Sequence, residues 1–313
     1  MELKGLWAAI PTPWDSHGQL DEGVLQRNID RYAQHGVDGV YTTDSDGEFY
    51  AIELAEFRGL VAAFGREMRN TSMETAVGVT WSHTEGIIDR IRVALEHGIC
   101  LVHVAFPYWM PLAPTDVYHF FADLADAVPD ARWIHYNNPN SKTVLTGEDY
   151  ARLSAVYPDQ FVGSKQGTTD LLQLAEIIGE SPQLAHFVVD YTVAPGFILG
   201  ARGVYSYWVN TLPDWERRWV DACLNGDWTA GWQMQMRLWQ WERSYVAPLR
   251  RAGYRHGVIG KARAALSGFL EDAGYTRAPY YAVRAEMQTA LKQCFDEFWS
   301  DETEMQLEAG GDE

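Results

Sequence analysis

The fold is decided by apolar stretches such as Ile99-Cys100-Leu101-Val102-His103-Val104-Ala105-Phe106, in which the histidine is the only clearly polar side chain. A strand that is exposed on one face alternates apolar and polar residues, whereas a strand covered on both faces of a parallel sheet is apolar throughout. We therefore interpret this stretch as a buried strand of a parallel sheet.

Seven further runs of this kind alternate with helical patterns, and the full set covers residues 6–12, 37–43, 74–80, 99–106, 132–138, 161–166, 185–190 and 203–208. Between them, helices are expected at 22–35, 116–128 and 147–157, after the capping residues Asp21, Thr115 and Thr146. Eight βα units in 313 residues predict a (β/α)8 TIM barrel, which needs about 250 residues, with a C-terminal helical extension. A doubly wound sheet would carry a glycine-rich turn after its first strand, and residues 11–15 contain no glycine.

The chain is expected to divide into a barrel at residues 1–212, a helical extension at 213–305 and a disordered acidic tail at 306–313. The extension shows three helical patterns, at about 214–250, 256–273 and 279–303. The last residues are rich in glycine and acidic side chains, which disfavour a packed structure.

Composition and charge exclude several classes of function. The formal net charge of −18 argues against nucleic acid and against an anionic membrane surface as partners. Three widely spaced cysteines, with no long apolar segment and no signal peptide, favour a cytoplasmic enzyme. No metal is expected, because His103, His135 and His186 lie on different strands without ligand spacing.

Active sites of TIM barrels lie at the carboxyl ends of the strands, where Lys165 and Tyr136 end neighbouring strands. Burial lowers the pKa of a lysine, and a neutral amine can attack a keto group to form a Schiff base. The phenol of Tyr136 would exchange protons with the intermediate. The alternative is that Lys165 forms a salt bridge at the edge of its strand.

Five motifs, in order along the chain, resemble those of the dihydrodipicolinate synthase and N-acetylneuraminate lyase family of pyruvate-dependent class I aldolases. Residues 44–48, ending in a Gly-Glu pair, stand in place of Gly-Thr-Thr-Gly-Glu, and residues 107–109 look like Pro-Tyr-Tyr. Residues 136–139 match Tyr-Asn-x-Pro, 163–165 match Gly-x-Lys, and 200–210 match Gly-Ala-x-Gly-x-x-Ser-x-x-x-Asn. The resemblance runs from about residue 5 to 213 and more weakly beyond.

This resemblance implies that Lys165 forms the imine with a 2-keto acid, without any other cofactor, and that Tyr136 is the acid and base. It also implies that the loop of Ser45, Asp46 and Gly47 binds the substrate carboxylate, and that the protein is a homotetramer. Asp46 replaces a threonine, and because a second carboxylate there would repel the substrate, we expect it to point away.

Other departures favour one branch of the family. Trp109 replaces the second relay tyrosine, as in the hydratase-aldolases of aromatic degradation that act on benzylidenepyruvates. The same branch is similar in its Tyr-x-Asn-Pro motif, which places Asn138 at the substrate, and in its aromatic-Trp pair, here Tyr207 and Trp208. Ser141 stands where dihydrodipicolinate synthases have an arginine, so lysine biosynthesis is not expected.

Three functions remain open at this point. The first is a hydratase-aldolase that cleaves an aryl-substituted pyruvate to an aromatic aldehyde and pyruvate. The second is an aldolase or dehydratase of a 2-keto-3-deoxy sugar acid, which would need a pocket lined by hydroxyl and amide groups. The third is a catalytically altered barrel that acts as a binding protein, which Asp46 and the missing relay tyrosine would favour.

Overall fold

A computed structural model describes residues 3–302 of the chain. Eight parallel strands close into a barrel in which each strand pairs with its neighbours in sequence and the last pairs with the first. The strands are β1 (Gly5–Ala9), β2 (Gly39–Thr42), β3 (Glu74–Gly78), β4 (Leu101–Val104), β5 (Arg132–Asn137), β6 (Phe161–Gln166), β7 (Ala185–Val189) and β8 (Gly203–Ser206). All eight expected strands are present, and the prediction of a (β/α)8 barrel is confirmed.

Aromatic rings fill the barrel below the site. Trp7 makes edge contacts with Phe187 and Tyr205, with ring centroids 5.7 and 5.5 Å apart. Gly39 and Gly203 leave room for these rings, because a side chain at either position would overlap Trp7 or Phe187. The interior is therefore a packed core, and a ligand can enter only from the carboxyl ends of the strands.

Helices follow the strands and cover the barrel: α1 (Glu22–Gln34), α2 (Leu54–Met68), α3 (Thr84–Glu96), α4 (Pro114–Ala127), α5 (Gly147–Val156), α6 (Leu171–Glu180), α7 (Val193–Leu199) and α8 (Pro213–Leu224). The caps at Asp21 and Thr146 are formed as expected, since their side chains accept hydrogen bonds from Val24 and Asp149 backbone N–H groups. At the fourth helix the expected cap was wrong by two residues, because the N-cap is Ala113 and Pro114 is the first helical residue.

The helical extension after the barrel consists of α9 (Trp228–Trp241), a π-helical turn (Glu242–Val246), α10 (Ala247–Arg251), α11 (His256–Ala264) and α12 (Ala285–Phe298). The single helix expected at 214–250 is instead broken at Gly226, whose φ of +75° ends α8. The expected division at residue 212 stays a prediction. It would assign α8, the helix that follows the eighth strand, to the extension. The expected tail at 306–313 lies outside the described residues.

The extension is fixed to the rim of the barrel by buried charges. Lys261 of α11 lies 2.6 Å from Glu48 and donates to the Thr12 carbonyl. Arg277 binds Glu56 of α2 and packs over the ring of Trp14. These contacts bring the start of α11 and the segment around residue 280 to the mouth of the barrel.

Candidate active site

Lys165 is buried inside the barrel near the carboxyl end of β6, with 3% of its surface exposed. Its Nζ lies 3.0 Å from Oδ2 of Asp44 and 3.0 Å from the phenol oxygen of Tyr41. The lysine thus lies in the interior of the barrel, as expected, and it is also held in a salt bridge, which was the alternative.

The expectation of a neutral Lys165 amine was wrong. Burial acts to lower the pKa of Lys165, but the attraction of the Asp44 carboxylate outweighs it and holds this pKa well above its usual value. Burial likewise acts to raise the pKa of Asp44, yet Lys165 and His103 hold it below its usual value. The resting site therefore contains an ammonium–carboxylate ion pair.

Asp44 is a central residue of the site that the sequence analysis missed. It follows β2 directly, at the first glycine position of the Gly-Thr-Thr-Gly-Glu motif. Its φ of +50° and that of Thr43, +67°, lie in the left-handed region, which an aspartate tolerates better than most side chains. The signal available in the sequence was a charged residue directly after a buried strand.

A chain of hydrogen bonds continues from Asp44 across the barrel. Nδ1 of His103 lies 2.9 Å from Oδ2 of Asp44, and Nε2 lies 2.9 Å from the phenol oxygen of Tyr205. Burial lowers the pKa of His103, so a neutral ring donates to the carboxylate and accepts from the phenol. His103 is thus part of this site, whereas His135 and His186 are core histidines bonded to Tyr150 and Ser164.

Tyr136 pairs in register with Lys165 on the neighbouring strand and lines the same space. The lysine Nζ lies over its ring, 4.0 Å from the centroid, while the phenol that accepts a hydrogen bond from Nζ is that of Tyr41. Burial raises the pKa of Tyr136, and a hydrogen bond with Ser45 acts in the opposite direction. Tyr136 is therefore a neutral phenol placed between the lysine and the loop.

The loop after β2 lies at the site as expected, but the orientation of Asp46 differs from the expected one. Ser45 and Asp46 both line cavities that reach the centre of the site, so the expectation that Asp46 points away was wrong. Gly47 is held by Thr12, whose hydroxyl donates to the Gly47 carbonyl at 2.8 Å. A side chain at position 47 would overlap the backbone of Thr43.

An inner cavity of about 120 Å³ surrounds Lys165. Tyr207 lines it, as does Arg263 of α11, a buried cation that the sequence analysis missed. Arg263 lies 2.6 Å from Glu242, and the charge of Glu242 holds the pKa of Arg263 high despite burial. Its Nε has no hydrogen-bond partner among the described residues. No sequence motif marked this arginine, because it reaches the barrel from outside the βα repeat.

An outer cavity of about 340 Å³ adjoins the inner one and shares Tyr136, Asn138 and His256 with it. Five aromatic rings line it: Phe49, Tyr50, Tyr108, Tyr136 and Tyr280. Polar and charged groups come from the same lining, namely Asp44, Ser45, Thr80, Asn138, Asn140, Ser141, Arg255 and His256. The combination gives a chamber lined by aromatic rings and polar groups next to a charged inner chamber.

Neither tryptophan that the sequence analysis assigned to the pocket contributes to its lining. Trp109 is 76% exposed, and Trp208 is buried among Trp241 and Trp299 in the core. The aromatic wall comes instead from the loop after β2, the loop after β4, Tyr136 of β5 and the extension. Asn138 lines both cavities as expected, and its side chain also accepts from the Asn140 backbone N–H.

Comparison with known protein families matches residues 2–297 to the dihydrodipicolinate synthetase family. The chain belongs to this family. Its members form a lysine imine with pyruvate without a further cofactor. Similar curated proteins include the 4-hydroxy-tetrahydrodipicolinate synthases of Methanothrix thermoacetophila and Porphyromonas gingivalis. The first is 28% identical over 93% of this chain and 95% of its own length, and the second 28% identical over 76% and 80%.

Among solved structures, the chain is similar to YagE, a prophage protein of the dihydrodipicolinic acid synthase family from E. coli K12, in complex with pyruvate. The TM-score is 0.86 at 19% identity, over 95% of this chain and 99% of YagE. CdNal from Clostridium difficile, in complex with mannosamine, has a TM-score of 0.83 at 18% identity, over 95% and 100%. These likenesses confirm the fold of this dihydrodipicolinate synthetase family member. In the described part of the chain, no helix has the length and apolar character needed to cross a bilayer.

Proposed function

We propose that this family member is a hydratase-aldolase that cleaves an aryl-substituted pyruvate to an aromatic aldehyde and pyruvate. Water adds across the double bond of the substrate, and the carbon–carbon bond then breaks with Lys165 as the imine-forming amine. The single observation that carries the proposal is the outer cavity with five aromatic rings, which opens beside the chamber of Lys165.

The two chambers match the two ends of such a substrate. The inner one offers Lys165 to the keto group, and Arg263 is a second cation of the same lining that can attract the substrate carboxylate. The outer one offers flat rings to the aryl group, since aromatic pairs in offset or edge arrangements add about 0.5–1.5 kcal/mol to the apolar contact. Tyr136, which lines both, is placed to exchange the proton of the substrate hydroxyl during cleavage.

A second candidate is an aldolase or dehydratase of a 2-keto-3-deoxy sugar acid. The amides of Asn138 and Asn140 and the hydroxyls of Thr80 and Ser141 favour it, because they line the same outer cavity and can bind sugar hydroxyl groups. The rings of the cavity have no such role in that reaction, which is why we place this function second.

The relatives are named 4-hydroxy-tetrahydrodipicolinate synthases, and we still predict that this chain lacks that activity. Ser141, which stands where dihydrodipicolinate synthases have an arginine, lines the outer cavity. The adjacent Lys142 donates its Nζ to the Trp109 carbonyl at 2.6 Å and does not line the cavity. Arg255 and His256 line it from α11 and its N-cap, so an assay with aspartate semialdehyde is the direct control.

The test is to incubate the protein with pyruvate, reduce with borohydride and search for an adduct on Lys165 by mass spectrometry. Aldehyde release is then measured with a benzylidenepyruvate and with a 2-keto-3-deoxy sugar acid, and consumption of pyruvate is measured in the presence of aspartate semialdehyde. Aldehyde from the first substrate alone supports the proposal, while turnover of another substrate replaces it. Absence of any adduct would favour the altered barrel that acts as a binding protein.

We also infer a homotetramer in the cytoplasm, which rests on the family resemblance. Trp109 and Met110, which are 76% and 68% exposed, form an apolar loop at the rim of the barrel that subunit contact would cover. Sedimentation equilibrium measures the mass directly, and a monomer at micromolar concentration would contradict the inference.

A further inference from the structure

The carboxylate of Asp44 is the one acidic group in hydrogen-bonding contact with Nζ of Lys165 among the described residues. Both side chains are buried, with 1% and 3% of their residues exposed. A buried ion pair needs a close geometry and further hydrogen bonds to offset its loss of hydration, and Tyr41 and His103 supply them here. The pair is therefore a built feature of the site.

We propose that Asp44 is a catalytic acid–base residue that moves the protons of imine formation between Lys165 and the substrate oxygen. The proposal rests on the lysine imine of the proposed function and goes beyond it, because it assigns these transfers to a residue that replaces a glycine of the family motif. The proposal concerns imine formation alone, so it depends neither on the aryl group of the substrate nor on the later hydration and cleavage steps.

The first half of the step forms the carbon–nitrogen bond. A proton moves along the 3.0 Å contact from the Lys165 ammonium to Asp44, which leaves a neutral amine and a carboxylic acid. The nitrogen lone pair attacks the keto carbon, and the electron pair of the carbonyl bond moves to the oxygen. Asp44 returns its proton to that oxygen, which becomes the hydroxyl of a carbinolamine with a protonated nitrogen.

The second half expels water. The carbinolamine nitrogen passes a second proton to Asp44, which gives it to the hydroxyl as the carbon–oxygen bond breaks. The nitrogen lone pair forms the carbon–nitrogen double bond. Of the three protons of the ammonium, two leave in the water and one stays on the iminium. The net charge is unchanged, because an ammonium and a ketone give an iminium and water.

This balance explains why a salt bridge is compatible with catalysis. Asp44 faces a cation before the reaction and a cation after it, so it serves as counter-ion in both states and holds the extra proton only between them. A lysine kept neutral by burial alone would have to acquire a charge in the barrel when the iminium forms, which costs free energy in an apolar interior.

The other groups that surround the pair are weaker proton acceptors than the Asp44 carboxylate or lie out of contact with Nζ of Lys165. The groups that face the pair are Tyr41 from β2, His103 from β4, Tyr136 from β5, Tyr205 from β8 and Asp46 from the loop. Burial raises the pKa of the phenol groups of Tyr41, Tyr136, Tyr205 and the nearby Tyr207. Burial lowers the pKa of His103. These four phenols and the imidazole are therefore neutral near pH 7. Within this group of side chains, Asp44 and Lys165 are the two that carry opposite charges and are in direct contact.

The experiment measures the rate of imine formation with pyruvate by quenching with borohydride at timed intervals, from pH 5.5 to 9. The variants are Asp44→Asn and Asp44→Gly, both of which accept the positive φ at this position. Asp214→Asn is the matched control, because it removes another carboxylate that is paired with a histidine, 2.8 Å from His35 and outside both cavities.

We expect both Asp44 variants to form the imine about 100-fold more slowly or worse at every pH, as for loss of a general acid–base group, with the control at the wild-type rate. A mere counter-ion would behave in the opposite way, since its removal frees the amine and makes trapping as fast or faster near pH 7. That outcome would overturn the assignment and leave the lyase intact, whereas a wild-type protein without an adduct would overturn both. Thermal unfolding of each variant identifies losses that come from misfolding.

Discussion

A methyl group on Gly78 would overlap Oδ1 of Asp44, so the glycine at the end of β3 leaves the space that this carboxylate fills. The same methyl group would also approach the Asp44 backbone nitrogen and the Thr43 hydroxyl. Thr43 donates this hydroxyl to the Gly78 carbonyl at 2.6 Å, which ties the loop after β2 to β3. The position of the Asp44 carboxylate thus depends on a residue with no chemistry of its own.

Gly78→Ala is therefore expected to displace Asp44 from Lys165 and to slow imine formation with pyruvate by about 10-fold or more, since loss of one hydrogen bond to a charged group costs about 1.5–3 kcal/mol. Timed borohydride trapping measures the rate. Gly59→Ala is the matched control, because Gly59 lies inside α2 with no atom near the added methyl group.

The control should trap pyruvate at the wild-type rate and gain about 1 kcal/mol of stability from better helix propensity. Equal rates for the wild type and Gly78→Ala would show that the carboxylate tolerates displacement, and would contradict the geometric argument.

Tyr280→Ala should weaken binding of an aryl pyruvate while leaving imine formation with pyruvate itself unchanged. Tyr280 lines the outer cavity and makes an edge contact with Tyr50, at 5.1 Å between ring centroids. Loss of an aromatic contact of about 0.5–1.5 kcal/mol raises KM about 2- to 10-fold. Its neighbour Tyr281 is 77% exposed and outside the cavity, so Tyr281→Ala serves as the control. An equal KM for both variants would show that the Tyr280 ring does not contact the aryl group of the substrate.

Arg263→Lys should raise KM for pyruvate by about 10-fold or more with a smaller effect on kcat, because a lysine keeps the charge but not the fork of donors that a carboxylate binds. Arg250→Lys is the control, since Arg250 also pairs with Glu242 and lines neither cavity. Steady-state kinetics of both variants decide the matter. If the two variants gave the same KM, Arg263 would be a purely structural partner of Glu242.

The protein should lose stability as the pH falls from about 6.5 toward 4. Burial lowers the pKa of His135 to about 3 and of His186 to about 4, so both stay neutral in the folded state. In the unfolded chain they bind protons below about pH 6.5, and the unfolded state is favoured over that window. Urea unfolding at a series of pH values measures this slope. His135→Gln should flatten it, and a curve parallel to the wild type would contradict the argument.

The sequence was sufficient to predict the barrel because its strands are apolar throughout, a pattern that depends only on neighbours along the chain. The same holds for Lys165 and Tyr136, which end consecutive strands and pair in register. The charge of Lys165 could not be obtained in this way. It depends on Asp44, which lies 121 positions away in sequence and meets the lysine only when β2 and β6 face each other across the barrel.

The aromatic pocket shows the same limit. Trp109 is a plausible wall by composition, yet it is solvent-exposed, and Tyr280 takes that role from beyond the barrel. Arg263 likewise reaches the site from α11, which follows no repeat that a sequence pattern could extend. Residues supplied by the extension depend on long-range packing, so they appear only with the three-dimensional structure.

The buried contact between Lys261 and Glu48 makes the loop after β2 dependent on the helical extension. Glu48 ends the loop that begins with Asp44, and Lys261 is made more than two hundred residues later. Folding of the eight strands alone does not provide this anchor, because α11 lies outside the barrel. The loop that carries Asp44 is therefore secured by a residue of the extension.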